Sequence, residues 1–143
     1  MDYQQARDYF LSKPEAEEDF PFYPDVPVFK VKGKMFGLLS YGKEGAPQAD
    51  TARMNLKCDP EHALTLRFFF EGVQPGYHMN KKHWNTVMLD QSVPDYDLQQ
   101  MIDHSYGLVI KKLKKAERQS LELAYGREAL YGSDSANTPT TGR

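Results

Sequence analysis

A single cysteine, Cys58, stands in a chain of 143 residues, so an internal disulfide framework is excluded. A reducing, cytoplasmic setting is the expectation that follows. No apolar run approaches the roughly 18 residues of a membrane span. The opening stretch MDYQQARDYF lacks the basic and apolar regions of a secretory leader. Neither CxxC nor HExxH is present, which removes the usual spacings of zinc ligands. There is also no P-loop and no GxGxxG fingerprint. Asp103-His104-Ser105 carries the letters of a hydrolytic triad, but consecutive helical residues project about 100° apart and do not assemble that geometry. No catalytic residue, cofactor or metal ligand is assigned, and an enzyme is not expected. His78 and His83 are read as surface or hydrogen-bonding residues, and Cys58, in an apolar alternation, as a buried inert thiol.

Aromatics are abundant by contrast: nine Tyr, eight Phe and one Trp. Such side chains bury large areas, so a packed core is expected. The net charge is −2, but it is unevenly spread. Residues 1–27 carry −5, residues 28–118 carry +4, and residues 119–143 carry −1. The middle of the chain is basic, and a local basic surface binds polyanions despite a modest overall pI.

Periodicity orders the elements. Tyr3, Ala6 and Phe10 form the apolar stripe of a first helix over 2–13, ended by Pro14. The acidic, proline-rich EAEEDFPFYPDVP predicts loop or extended chain. VFKVKGKMFGLLSY predicts a hairpin about Lys32-Gly33, residues 42–53 a polar loop, and RMNLKC a half-buried strand. Asp59 and Pro60 mark a helix start. Ala63, Leu64 and the Phe68-Phe69-Phe70 run are its expected apolar face, and Gly72 its end. Two strands are predicted at 77–79 and 85–89, around NKKHW. Pro94 opens a third helix with Leu98, Met101, Ile102, Ser105, Val109 and Leu113 on one side. Lys111, Lys112, Lys114 and Lys115 crowd its end, where cations suit the dipole. A helix from Ala116 to about Leu130 and a disordered polar tail complete the chain. The fold class is α+β: a two-layer sandwich, a mostly antiparallel sheet with helices on one face.

Alternation sorts side chains onto the two faces of that sheet. Phe29, Val31, Met54, Leu56, Cys58, Val87 and Leu89 are expected to face the helices. Lys30, Lys32, Arg53, Asn55, Lys57, Trp84, Thr86 and Met88 are expected on the open face. The strand holding Met35, Phe36, Leu38 and Leu39 sorts to neither. Cations about an aromatic suit a phosphate backbone with a base or sugar stacked on it. The plainer alternative is an ordinary charged sheet face whose lysine stems cover Trp84.

AEEDFPF (16–22), VFKVKGKMFGLL (28–39), NLKCDP (55–60), PGYHMNKKHWNTV (75–87) and IDHSYGLV (102–109) together resemble the YjbR/MmcQ-like family, small bacterial proteins described as DNA-binding. The resemblance covers 1–118 and implies a CyaY/frataxin-like sandwich that contacts DNA through a double wing of hairpins. Residues 119–143 form a C-terminal extension beyond it. On this reading Lys81 and Lys82 meet phosphates, while Asn80, His83 and Asn85 hydrogen-bond phosphate or sugar. Trp84 packs on sugar or an accessible base, and Lys30, Lys32, Lys34, Arg53 and Lys57 extend the patch. The frataxin likeness also implies an alternative, iron gathered on Glu15, Glu17, Glu18 and Asp19. A protein-interaction adaptor is a third.

Overall fold

The structure, a computed structural model, describes residues 1–76 and 79–132. Asp2 starts the first helix, α1 (Tyr3–Leu11). Its carboxylate accepts the Gln5 N–H at 2.8 Å, and the Gln5 side chain accepts the Asp2 N–H at 2.9 Å, a reciprocal capping box. Ala6 and Phe10 fall on the buried face. A short strand, β1 (Glu17–Asp19), follows within the acidic stretch expected to be loop or extended chain. It pairs antiparallel with β2 (Val28–Val31), and Lys30 Nζ lies 2.8 Å from the Asp19 carboxylate. Opposite charges across the strands favour this extra edge pairing.

β2 and β3 (Lys34–Ser40) form the predicted hairpin. Lys32 and Gly33 both take positive φ, 50° and 77°, the pattern of a type I′ turn whose twist matches its strands. The register then slips. Phe29 faces Gly37, but Lys30 faces Met35, so Phe36 is a bulged extra residue. Phe36 turns into the core and meets Tyr106 edge-on at 5.1 Å. The bulge is the physical reason why this strand shows no clean alternation. Gly37 is where α1 approaches the sheet: a Cβ there would lie 2.2 Å from the Phe10 ring.

The remaining elements are β4 (Arg53–Lys57), α2 (Pro60–Phe69), β5 (Val73–Pro75), β6 (Trp84–Met88), α3 (Asp95–Lys111), α4 (Lys115–Tyr125) and α5 (Arg127–Tyr131). The sheet runs β1-β2-β3-β4-β6-β5, with every neighbouring pair antiparallel. The fold is α+β, as alternation and element order predict. Phe29, Val31, Met54, Leu56, Val87 and Leu89 join one core with Phe10, Leu98, Ile102 and Tyr106. Among the described residues, no helix is long and apolar enough to cross a membrane.

Three expectations are corrected. The strand beside β6 is Val73–Pro75, not 77–79; Tyr77 and His78 lie outside the described residues, and Met79 sits in a bend. α2 stops at Phe69 with Phe70 extended, before Gly72. Its buried and half-buried positions are Pro60, Ala63, Leu66 and Arg67, continued by Phe70 just past its end, a true helical stripe, whereas Leu64, Phe68 and Phe69 face solvent. A run of three phenylalanines spans about 200° of a helix, so it has no single face. The last helix is broken at Gly126, where φ is 84°. Leu121 and Leu130, from α4 and α5, are buried in the same core as α3. The tail expected to be disordered, 133–143, lies outside the described residues.

Candidate nucleic-acid interface

Antiparallel pairing brings the start of β3, the end of β4 and the start of β6 to one end of the sheet. Lys34, Lys57 and Trp84 therefore share that end, and Lys112, which caps the C-terminus of α3, joins them. Burial holds the Lys57 ammonium below the usual lysine range, and the positive charges of Lys112 and Lys34 add to the effect. Among the described residues, none of these three makes an ion pair with an acid. Two strands and a helix thus deliver a concentration of uncompensated positive charge. Lys112 went unassigned in the sequence. The lysine run at the end of α3 was visible, but which strand ends it meets depends on tertiary structure.

The loop 79–83 adjoins this cluster. The His83 carbonyl accepts the Cys58 N–H at 2.8 Å. Asn80 shapes the turn: its side-chain Oδ1 accepts the Lys82 N–H at 3.0 Å, and its carbonyl accepts the N–H groups of His83 and Trp84. Arg67 of α2 clamps the loop, with its guanidinium donating to the carbonyls of Lys81 and Trp84 and to Asn85 Oδ1. Asn80, Lys81, Lys82 and His83 are exposed. Lys81 Nζ approaches only the Gly76 carbonyl, at 3.4 Å, and among the described residues Lys82 has no side-chain partner.

The other expected contacts are placed differently. Lys30 is bound to Asp19, and Lys32 is paired with Glu15 Oε1 at 3.0 Å. Glu15 raises the Lys32 pKa, first by hydrogen bonding. The Arg53 guanidinium donates to the carbonyls of Gln48 and Thr51, so it fastens the 42–52 loop. Asn85 is 2% exposed and lies opposite Leu56, on the helix-facing side of the sheet. It serves as a partner for Arg67 and is not a surface contact. Trp84 does sort to the open-face side, opposite Lys57, but is only 6% exposed. β6 is flanked by β4 and β5, and the Lys57 ammonium sits 5.8 Å from the indole centroid. Thr86, Met88 and Asn55 are buried with it. The indole is therefore packed and held under a cation, not presented for stacking.

Three of the four acids proposed for iron, all but Glu17, are occupied with bases. Glu15 pairs with Lys32, Glu18 with Arg7 and Asp19 with Lys30. The triad letters also serve structure. Asp103 accepts from Tyr9 and Lys13, at 2.8 and 2.7 Å. His104 Nε2 accepts the Asp59 N–H, and Ser105 of α3 is fully buried against β3 and β4. Burial pushes the Cys58 thiol up to about 12, as expected of an inert cysteine. The small pocket beside it, lined by Leu56, Asn85 and His104 among others, is about 10 Å³, the size of one water.

Comparison with known proteins places the chain. The model of the YjbR family matches residues 11–108. The chain belongs to the YjbR family. It is 35% identical to the YbdF protein of Escherichia coli O157:H7 over 117 residues, which are 82% of this chain and 91% of that protein. It is 31% identical to YjbR of Escherichia coli K12 over 121 residues, covering 85% and 98%. Among solved structures, the Deinococcus radiodurans protein DR2400 superposes with a TM-score of 0.72 at 38% identity, over 84% of this chain and 87% of that one. A Pseudomonas syringae protein superposes at 0.66 and 33%, covering 76% and 98%. The YjbR match begins at the last residue of α1 and covers the sheet, α2, the 79–83 loop and most of α3; α4 and α5 lie past its end.

Proposed function

We propose that this YjbR-family protein is a cytoplasmic DNA-binding protein, not an enzyme, that grips the phosphate backbone with one end of its sheet. The observation that carries the reading is the meeting of Lys34, Lys57 and Lys112 without an acidic partner among the described residues, beside Lys81 and Lys82. Uncompensated cations this close repel one another, and a bound polyanion relieves that repulsion. The β2–β3 hairpin and the 79–83 loop flank the cluster as its two wings. Lys30, Lys32 and Arg53 support the frame through their own partners and make little contact with DNA. Phosphate contacts of this kind set position without reading sequence. The test is titration of labelled DNA by the wild type and by the Lys34→Glu, Lys112→Glu double variant. Both positions are at the surface, so the variant folds, and its affinity falls at low salt. Equal affinity of the two proteins defeats this placement of the site.

A further inference from the structure

α2 ends in an exposed aromatic pair. Phe68 is 86% exposed and Phe69 70%, and Leu64, one turn back, is 63% exposed. The two rings meet edge-on at 5.7 Å. They contribute nothing to the core, which takes Ala63 and is packed by Leu66 and Phe70 instead. Contiguous exposed apolar side chains on a folded protein mark an interaction site.

The neighbours of this patch indicate what it takes. At about 100° per residue, Leu64 lies about 60° around the helix from Arg67, and Phe68 a further 40° or so. Leu64 thus borders the flank of α2 on which Arg67 clamps the 79–83 loop through the Lys81 and Trp84 carbonyls, Phe68 follows it around the helix, and Phe69, on the far side from Arg67, joins the patch through its edge-on contact with Phe68. Lys81 and Lys82 are exposed on that loop and, among the described residues, meet no acid. Glu61 lies on the same side of α2 as Leu64 and Phe68, nearer the start of the helix, and Glu71 follows its end; neither forms an ion pair among the described residues. Exposed aromatic rings beside unpaired cations form a surface with two complementary parts. The rings offer faces for stacking, and the lysines meet the phosphates between the stacked units.

We propose that Leu64, Phe68 and Phe69 are a stacking platform for unpaired bases, so that the nucleic acid engaged here is single-stranded. The inference rests on the DNA-binding reading above and adds the form of the ligand. A duplex keeps its bases stacked inside and offers the rings little, whereas every unpaired base has a free face. The platform also supplies the stacking role that the buried Trp84 does not.

The experiment compares an oligothymidylate with a blunt duplex of equal length, titrated at low salt. The proteins are the wild type, Phe68→Ala with Phe69→Ala, the conservative Phe68→Tyr, and Lys34→Glu with Lys112→Glu; circular dichroism verifies folding. The single strand is expected to bind more tightly than the duplex. The double alanine variant should lose about 5- to 100-fold on the single strand, from the usual value of a base–aromatic stack, with the duplex little affected. Phe68→Tyr should retain binding. If the duplex binds, the double lysine variant weakens it and the alanines alter neither ligand, the platform is overturned while the phosphate grip stands. If neither ligand binds, both readings fail. If sedimentation shows wild-type self-association that the alanines abolish without altering DNA affinity, the patch joins copies of the chain and the inference is overturned.

Discussion

Trp84 illustrates what a single position reveals. Its letter, amid lysines and histidines, suggests a contact residue, and alternation assigns its side of the sheet correctly. Exposure is a different matter, because it depends on β5 and β4 on either side and on where Lys57 lies. With the indole packed, Trp84→Ala should cost about 3–5 kcal/mol, the range for removing a buried large aromatic. Chemical denaturation measures this, and a loss below about 1 kcal/mol would place the ring outside the core. His104 offers a second residue-level expectation. Burial, then the neighbouring His62 at 5.1 Å, hold its pKa near 4, below the ordinary 6.5; Lys111 acts in the same direction and Asp59 opposes. The unfolded chain takes up this proton near pH 6.5, and the folded protein only near 4. Between those values the unfolded state binds more protons, so stability falls as pH drops through the window. Melting temperatures from pH 7 to 4.5 should decline. His104→Gln retains an acceptor for Asp59 and should flatten the decline, leaving the smaller part due to His62, whose pKa burial also lowers.

Elements were legible where their signals are local. Asp59-Pro60 opens α2 because a cap and a proline act within one turn. Lys32-Gly33 closes the hairpin because two-residue turns need positive φ. The bulge at Phe36 was not legible, since it arises from pairing between strands and is completed by a third element. The β3–β4 ladder stops at Gly37 and Leu56. Beyond it, Ser105 of α3 donates to the Phe36 carbonyl at 2.6 Å and accepts the Lys57 N–H at 2.9 Å. One hydroxyl bridges the gap that the bulge opens and fixes the backbone of Lys57 at the basic end. Ser105→Ala should therefore cost about 1–3 kcal/mol for each buried group left unpaired. Gly37→Ala should be harmful for another reason: its methyl would enter the Phe10 ring, and overpacking of this kind costs about 1–3 kcal/mol. Hydrogen exchange along β3 and β4, with thermal melts, distinguishes a local opening from a general loss. The apolar face of α2 was misread because its apolar letters outnumber the positions that face inward. The excess, Leu64, Phe68 and Phe69, carries the further inference.

At the scale of the whole molecule, the order of helices and strands was readable because periods of 3.6 and 2 persist through most of the chain. The basic middle of the sequence was readable too. Which lysines remain free was not, because ion pairs such as Lys32 with Glu15 join residues from separate elements. Lys81 and Lys82 are exposed on a clamped loop, so Lys81→Glu with Lys82→Glu should alter stability by less than about 0.5 kcal/mol while weakening DNA binding. A variant that melts normally and binds DNA normally would make the loop an ordinary turn. The most direct measurement is the salt dependence of affinity for a short duplex with a single-stranded overhang, with iron(II) binding assayed in parallel. Each neutralised phosphate contributes about −0.9 to the log–log slope on duplex DNA. Roughly three to five contacts from Lys34, Lys57, Lys81, Lys82 and Lys112 predict a slope of about −2.7 to −4.5, reduced in the Lys34→Glu, Lys112→Glu variant. Affinity that ignores salt, or no binding at low salt beside tight iron uptake lost on replacing Glu17, Glu18 and Asp19, would contradict the phosphate grip.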